Sequence, residues 1–291
     1  MIRLAMLMAP GLLYAAAAAS HGVPGDKHAD GCSQYLGNAG MLVASGGRKV
    51  LFDALYSYSF DRYALVPTET QAAMLAGEAP FDGIDAVLVS HVHGDHFSRE
   101  PALRFLHANR EALLFGTPQI ADALREAGAD SQVMDRVIVF DIKPDDKAET
   151  FTAGGLAVSA AAIPHSGGER MAHIQNLSFR VTLDDGVSAV HMGDAATIRE
   201  GFERHKHHWA GAHLDVAFPP YWFFQSDAGR EIVRDYLAAD RVIGVHVPAS
   251  AAGRGATMRM KAGFDLFTDP GEVRGLGDAD GAACKARNTS R

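Results

Sequence analysis

Ser90-His91-Val92-His93-Gly94-Asp95-His96 packs three imidazoles and one carboxylate into a single short segment. His91 and His93 are two residues apart, and strand side chains alternate, so both point to one side of an extended chain. Gly94 then permits a tight turn, and Asp95 and His96 follow at that turn. Neutral imidazole nitrogen and carboxylate oxygen are good ligands for zinc and its first-row neighbours. A cation held there would polarise a substrate oxygen and lower the pKa of a bound water.

Such a turn needs a rigid element on each side. The apolar run Ala86-Val87-Leu88-Val89 predicts a short buried strand before it. Ser98 is placed to cap a helix over 99–109 by accepting a backbone N–H bond. Strands are also expected near 41–44, 49–52, 113–115 and 137–140, with a hairpin turn at Ser45-Gly46-Gly47-Arg48. Further hairpins are expected around Gly154-Gly155 and Asp184-Asp185-Gly186, and single strands at 214–218 and 242–246. Helices are read over 117–128, opened by Pro118, and over 228–238, with an apolar stripe at Ile232, Tyr236 and Leu237. Strand pairs interspersed with helices suggest an α/β chain with mixed sheets covered by helices.

The motif His-x-His-x-Asp-His after an apolar strand resembles the signature of the metallo-β-lactamase-fold hydrolases. Gly37-Asn38-Ala39-Gly40 followed by Val50-Leu51-Phe52-Asp53 also looks like the opening of that fold. The resemblance spans about 37–248. It implies an αββα sandwich: two mixed β-sheets face to face, flanked by helices, with the metal site at one edge between them. It also implies ligands downstream. His165, in Ile163-Pro164-His165-Ser166-Gly167-Gly168, follows a strand directly and is preferred over His173 on that ground. Asp194, in Met192-Gly193-Asp194-Ala195, stands where the family has a bridging carboxylate, and His246 stands at the last ligand position. His91, His93 and His165 would then hold one metal, Asp95, His96 and His246 the other, and Asp194 would bridge them. Asp95 would also orient the nucleophilic water.

Other groups carry weaker expectations. Asp53 reads as a turn residue at a strand end, with contact to the ligands as the alternative. His191 reads as core or as an outer neighbour of the site. His173 and Tyr221 are candidate substrate contacts, Tyr221 through the aromatic run Tyr221-Trp222-Phe223-Phe224. Tyr56, Tyr58, Phe60 and Tyr63 form a cluster expected either to pack locally or to line a pocket mouth. His205, His207, His208 and His213 read as a solvated helix face or loop.

Seven N/O ligands without thiolate suit two divalent ions, Zn2+ by default, with Fe or Mn as alternatives. The expected activity is a metal-dependent hydrolase attacking an ester, lactone or phosphodiester bond of a small-molecule substrate. Alternatives are an iron-dependent oxidoreductase, a β-lactamase-type amide hydrolase, and a metal-binding protein without turnover. Asp194 stands where the well-known zinc β-lactamases carry Cys, which weighs against the amide reading. A net charge of −8 argues against a nucleic-acid partner, which normally needs a basic patch.

Residues 1–19 read as a signal peptide: Arg3, then an apolar run, then Ala17-Ala18-Ala19 as the cleavage site. The run is short for a span of ~20 residues, so no membrane span is expected after cleavage. The mature chain is then read as a flexible leader over 20–34, a domain over 35–270 and a tail over 271–291, in a periplasmic or secreted protein. There Cys32 and Cys284 either pair or remain two thiols in mobile ends.

Overall fold

The computed structural model describes residues 31–210, 213–276 and 284. Along the chain come β1 (Cys32–Gly37), β2 (Gly40–Ser45), β3 (Arg48–Phe52), β4 (Ala86–Leu88), β5 (Leu113–Gly116) and β6 (Val137–Val139). They are followed by β7 (Glu149–Ala153), β8 (Leu156–Ala162), β9 (Leu177–Thr182), β10 (Ser188–His191), β11 (Val216–Phe218), β12 (Arg241–Gly244) and β13 (Asp265–Leu266). The last strand, β14 (Val273–Gly275), returns to the first group. Two seven-stranded sheets result, in the orders β14-β1-β2-β3-β4-β5-β6 and β13-β12-β11-β10-β9-β8-β7. Each is mixed: β1 to β3 and β7 to β10 pair antiparallel, β3 to β6 and β10 to β13 parallel.

Alternation within strands decides what faces what. Met41 and Val43 of β2 turn inward to meet Phe179 and Val181 of β9 in the core between the sheets. Leu42 and Ala44 turn outward, as period two requires. There α1 (Thr68–Ala76), α2 (Arg99–Ala108), α3 (Pro118–Glu126) and α4 (Ser131–Met134) cover them with Met74, Phe105, Leu124 and Val133. On the second sheet's outer face, α5 (Arg199–Arg204), α6 (Lys206–Ala210) and α7 (Asp227–Ile232) bring Phe202, Trp209 and Ile232 onto Val190 and Ala217. A further helix, α8 (Gly255–Ala262), lies beside β13. The layers are therefore helix, sheet, sheet, helix, the αββα sandwich expected.

Three local expectations change. The segment read as leader becomes sheet from Cys32, and the segment read as tail contains β14. The two pair with each other, Cys32 opposite Gly275, and Cys32 is disulfide-bonded to Cys284. A strand of three residues, Val-Arg-Gly, is too short to show alternation, so only its partner reveals it. Ser98 precedes α2, but its hydroxyl accepts from the backbone N–H of Ser57 at 3.0 Å and makes no cap bond. The helix read over 228–238 is α7 followed by a π turn, Val233–Leu237, with Ile232, Tyr236 and Leu237 buried as the stripe implied. The segment read as a signal peptide lies outside the described residues. Among the described residues, no helix is long and apolar enough to cross a membrane.

Candidate metal centre

Four strands of this sandwich end at one edge. His91 follows β4, His165 follows β8, Asp194 follows β10 and His246 follows β12. Open α/β sheets place their ligands outside the carboxyl ends of strands, where loops can vary without disturbing the core.

The seven expected ligands come together there. His91 Nε2 and His165 Nε2 each lie 3.1 Å from His93 Nδ1. Asp194 Oδ2 lies 3.4 Å from His165 Nε2, closing a first group. His246 Nε2 lies 3.1 Å from His96 Nε2 and 3.4 Å from Asp95 Oδ2, forming a second. Asp194 Oδ1 reaches into that second group, 3.2 Å from His96 Nε2 and 3.1 Å from His246 Nε2. Asp194 thus offers one oxygen to each group. Four donors around one zinc at bonds of 2.0–2.2 Å would stand roughly 3.3–3.6 Å apart, close to these separations.

Partners behind the rings decide which nitrogen lone pairs face inward. His96 Nδ1 lies 2.7 Å from Asp53 Oδ2, so its proton sits there and Nε2 is free to ligate. Ser90 Oγ donates to Asp53 Oδ2 at 2.6 Å and accepts from His91 Nδ1 at 2.9 Å, which likewise frees His91 Nε2. His165 Nδ1 donates to the Ser166 carbonyl at 2.5 Å. Asn38 Nδ2 holds Asp95 through its carbonyl oxygen at 2.9 Å and through Oδ2 at 3.1 Å. Asp194 is fixed by its backbone N–H, which donates to Asn176 Oδ1 at 2.9 Å. The preceding Gly193 has φ +53°, and a Cβ there would lie 2.4 Å from Asn176 Oδ1 and 2.5 Å from Ser90 Cβ. Only glycine lets the bridging loop pass that close.

Electrostatics separate the two groups. Burial pushes His91 and His93 down, with the charge of neighbouring imidazoles adding to it, which keeps both neutral and ready to ligate. Burial also works against charge on His96 and His246, but Asp194, with Asp53 for His96, outweighs it and raises both. Burial opposes the charge on Asp194 too, yet His246 and His96 hold its carboxyl well below the usual range. Its Oδ1 is buried without a hydrogen bond, as is His246 Nδ1. A buried acceptor left without a hydrogen bond costs about 1–3 kcal/mol, and more when it is charged. A divalent cation between the groups removes that cost, so the donor set fits one.

Asp53 is therefore more than a turn residue. It closes β3 with φ 42° and carries Ser90 and His96 on its two oxygens. His191 is buried, hydrogen-bonded to the Ala39 carbonyl at 2.8 Å, and stacked on Phe52. His173 is exposed and outside both groups, its carbonyl accepting from Gln119 Nε2. In the aromatic run, Trp222 is the ring against His246, at 5.2 Å, whereas Tyr221 packs toward Val247 and Leu266. The tyrosine cluster divides. Tyr56 is buried and donates to the Ala64 carbonyl, Tyr58 and Phe60 are half exposed, and Tyr63 stacks edge-on against His246 at 4.2 Å. Sequence reasoning missed Asn38 and Ser90 as partners of the ligands, although Ser90 is adjacent to His91; Tyr63 and Trp222 were expected only as members of aromatic groups that either pack locally or line a pocket.

The second histidine-rich stretch departs from its expectation. His205 and His208 are buried, because α5 and α6 lay Phe202 and Trp209 on the second sheet. His207 and His213 are exposed. His213 lies 3.0 Å from Asp240 and 3.5 Å from Asp215 at the surface, in a group separate from the seven residues above.

Comparison with known proteins agrees with this fold. No curated protein matches the chain in sequence. A possible metal-dependent hydrolase from Veillonella parvula aligns over 85% of this chain and 100% of its own, with 14% identity and a TM-score of 0.60. Igni18, a metallo hydrolase from Ignicoccus hospitalis, aligns over 85% and 98%, with 16% identity and a TM-score of 0.56. CmlA, a diiron β-hydroxylase from Streptomyces venezuelae, aligns over 85% of this chain and 54% of its own, with 16% identity and a TM-score of 0.54. Likeness at these identities establishes the fold. The model of the beta-lactamase superfamily domain matches residues 48–234, from β3 past α7, and the chain belongs to that superfamily.

Proposed function

We propose that the protein is a dinuclear metal-dependent hydrolase acting on an ester, lactone or phosphodiester bond of a small molecule. The observation that carries this reading is Asp194, which presents one oxygen to each group of histidines. His91, His93 and His165 would hold one ion, Asp95, His96 and His246 the other. Bound there, two divalent ions supply Lewis acidity and a hydroxide at neutral pH. Zinc is the default for an N/O set without thiolate. Asp95, braced by Asn38, orients the attacking water. No serine or cysteine nucleophile is required.

The test is turnover by the zinc-loaded protein on a panel of esters, lactones and phosphodiesters. Hydrolysis should vanish on chelation and return with metal. Turnover indifferent to chelation contradicts the reading. The CmlA likeness keeps one alternative in view, iron on the same ligands with redox chemistry. Stoichiometric iron with a redox-active spectrum in the purified protein would select it.

Export belongs to the same proposal. The apolar segment at 1–19 and the Cys32–Cys284 bond support a periplasmic or secreted protein, since disulfides persist in oxidising compartments. Unfolded native protein should titrate with no free thiol. Two thiols would contradict export.

A further inference from the structure

One buried imidazole near the candidate centre belongs to neither group of ligands. His191 closes β10 and lies against Phe52, a residue of the core between the sheets, with ring centroids 5.2 Å apart. Its Nε2 donates to the Ala39 carbonyl at 2.8 Å, so the proton sits there. Its Nδ1 is then an acceptor, and it receives the Gly193 N–H at 3.2 Å. Asp53 Oδ2 stands 3.7 Å from Nδ1, beyond hydrogen-bond reach. Backbone groups thus satisfy both ring nitrogens and fix the tautomer, which leaves neither nitrogen to ligate.

Each partner leads to ligands. Gly193 precedes Asp194, and the two consecutive N–H groups of this loop are held separately. Gly193 is held by His191, and Asp194 by Asn176 Oδ1 at 2.9 Å. Ala39 lies in the turn between β1 and β2, beside Asn38. The Asn38 carbonyl accepts the His246 N–H at 2.8 Å, and its Nδ2 donates to Asp95 Oδ2 at 3.1 Å. Consecutive carbonyls of a turn in the first sheet therefore hold two residues at strand ends of the second. His191 joins that turn to the loop that carries the bridging carboxylate.

We propose that His191 is a positioning residue for Asp194. Its Nδ1 holds the Gly193 N–H and so aims the two carboxylate oxygens, one at each group of histidines. No bond changes and no proton moves. Loss of a partner behind a ligand typically weakens metal binding by about 10–100-fold. Asp194 serves both groups, so the loss falls on both ions. The inference rests on the dinuclear reading above.

The experiment compares native protein with His191→Asn and His191→Gln. Asn sets an oxygen near the place of Nδ1 and can still receive the Gly193 N–H. Gln sets its amide near the place of Nε2 and keeps only the Ala39 bond. Both lose the ring on Phe52, so a role in packing alone makes them equal. Zinc affinity is measured by chelator competition, and the visible spectrum is recorded on Co2+-loaded protein. The expected result is that His191→Gln binds both ions about tenfold or more weakly than native protein, with a changed Co2+ spectrum. His191→Asn recovers most of the affinity and the native spectrum. Two ions on native protein with equal affinities in the two variants overturn the inference alone. Fewer than two zinc ions on native protein overturn the dinuclear reading and the inference with it. The tautomer is read on native protein by nitrogen-15 NMR, which holds even where a variant fails to fold. A proton on Nδ1 of His191 overturns the proposal, and a proton on Nε2 alone supports it.

Discussion

Two short stretches of this chain are rich in histidine, and the fold treats them oppositely. His91, His93 and His96 lie at a strand end, where acids from β3, β10 and the motif itself converge on them. His205 and His208 lie on short helices against the second sheet. There the neighbours of His208 are Ser159, Trp209 and Arg180, with no carboxylate in contact among the described residues. Burial, with Arg180 adding to it, lowers His208 to about 3. In the first region the acids raise His96 and His246 despite equal burial. Density of imidazole does not make a metal site. Placement at strand ends, with carboxylates opposite and a fixed tautomer behind, does.

Substitution of Asp194 should break the contrast most. Asp194→Ala removes the carboxylate shared by both groups, so at least one metal and most activity should be lost, by more than about 100-fold. Full metal occupancy in that variant, measured by elemental analysis, would show that Asp194 does not bridge. Asp53→Asn is the next largest change. It weakens the acceptor that fixes His96 and Ser90 without touching a metal. Loss of such an outer partner typically costs about 10–100-fold in metal affinity. Chelator competition should find the loss larger at the ion held by His96, which Asp53 touches directly, than at the ion held by His91, which it reaches only through Ser90. Equal weakening of both would mean that the groups behave as one site.

The buried pair answers to protons instead of metal. The folded state keeps His208 neutral, while the unfolded chain takes up a proton below its ordinary value near 6.5. Stability from this group is therefore complete above pH ~6.5 and falls as pH drops toward 3, by up to about 1.4 kcal/mol per pH unit. Denaturant titrations of native protein and His208→Gln from pH 7 to 4 should diverge by that slope, with metal content equal in both. Parallel curves would mean that His208 is not held neutral. The smallest effect belongs to the exposed member. His207→Ala should change neither metal content nor stability beyond about 0.5 kcal/mol, and a lost metal ion there would erase the distinction between the stretches.

Much of the centre was legible because its densest part is local. His91, His93, Asp95 and His96 are close in the chain, and strand alternation already places two of them together. His165, Asp194 and His246 became legible through resemblance, since they lie far along the chain from the motif they join, His165 72 residues from His93 and His246 150 from His96. Asn38 was not, and Asp53 only as an alternative, because each acts across 37 or more residues through a hydrogen bond that no local pattern records. His246 adopts φ 62°, a left-handed conformation held by the N–H bond to the Asn38 carbonyl. The preceding apolar strand gives no hint of that bend. The sheets followed from alternation and hairpin turns, whereas β14 escaped because three residues carry no period. The burial of His205 and His208 escaped because their polarity pointed outward, while Phe202 and Trp209 beside them pointed in.

The central claim is that two cations share Asp194. Anomalous scattering from crystals of the metal-loaded protein tests it most directly. The account predicts two peaks, one among His91, His93 and His165 and one among Asp95, His96 and His246, with an Asp194 oxygen on each. A single peak, or peaks at His213 and Asp240 with the strand-end site empty, would contradict it.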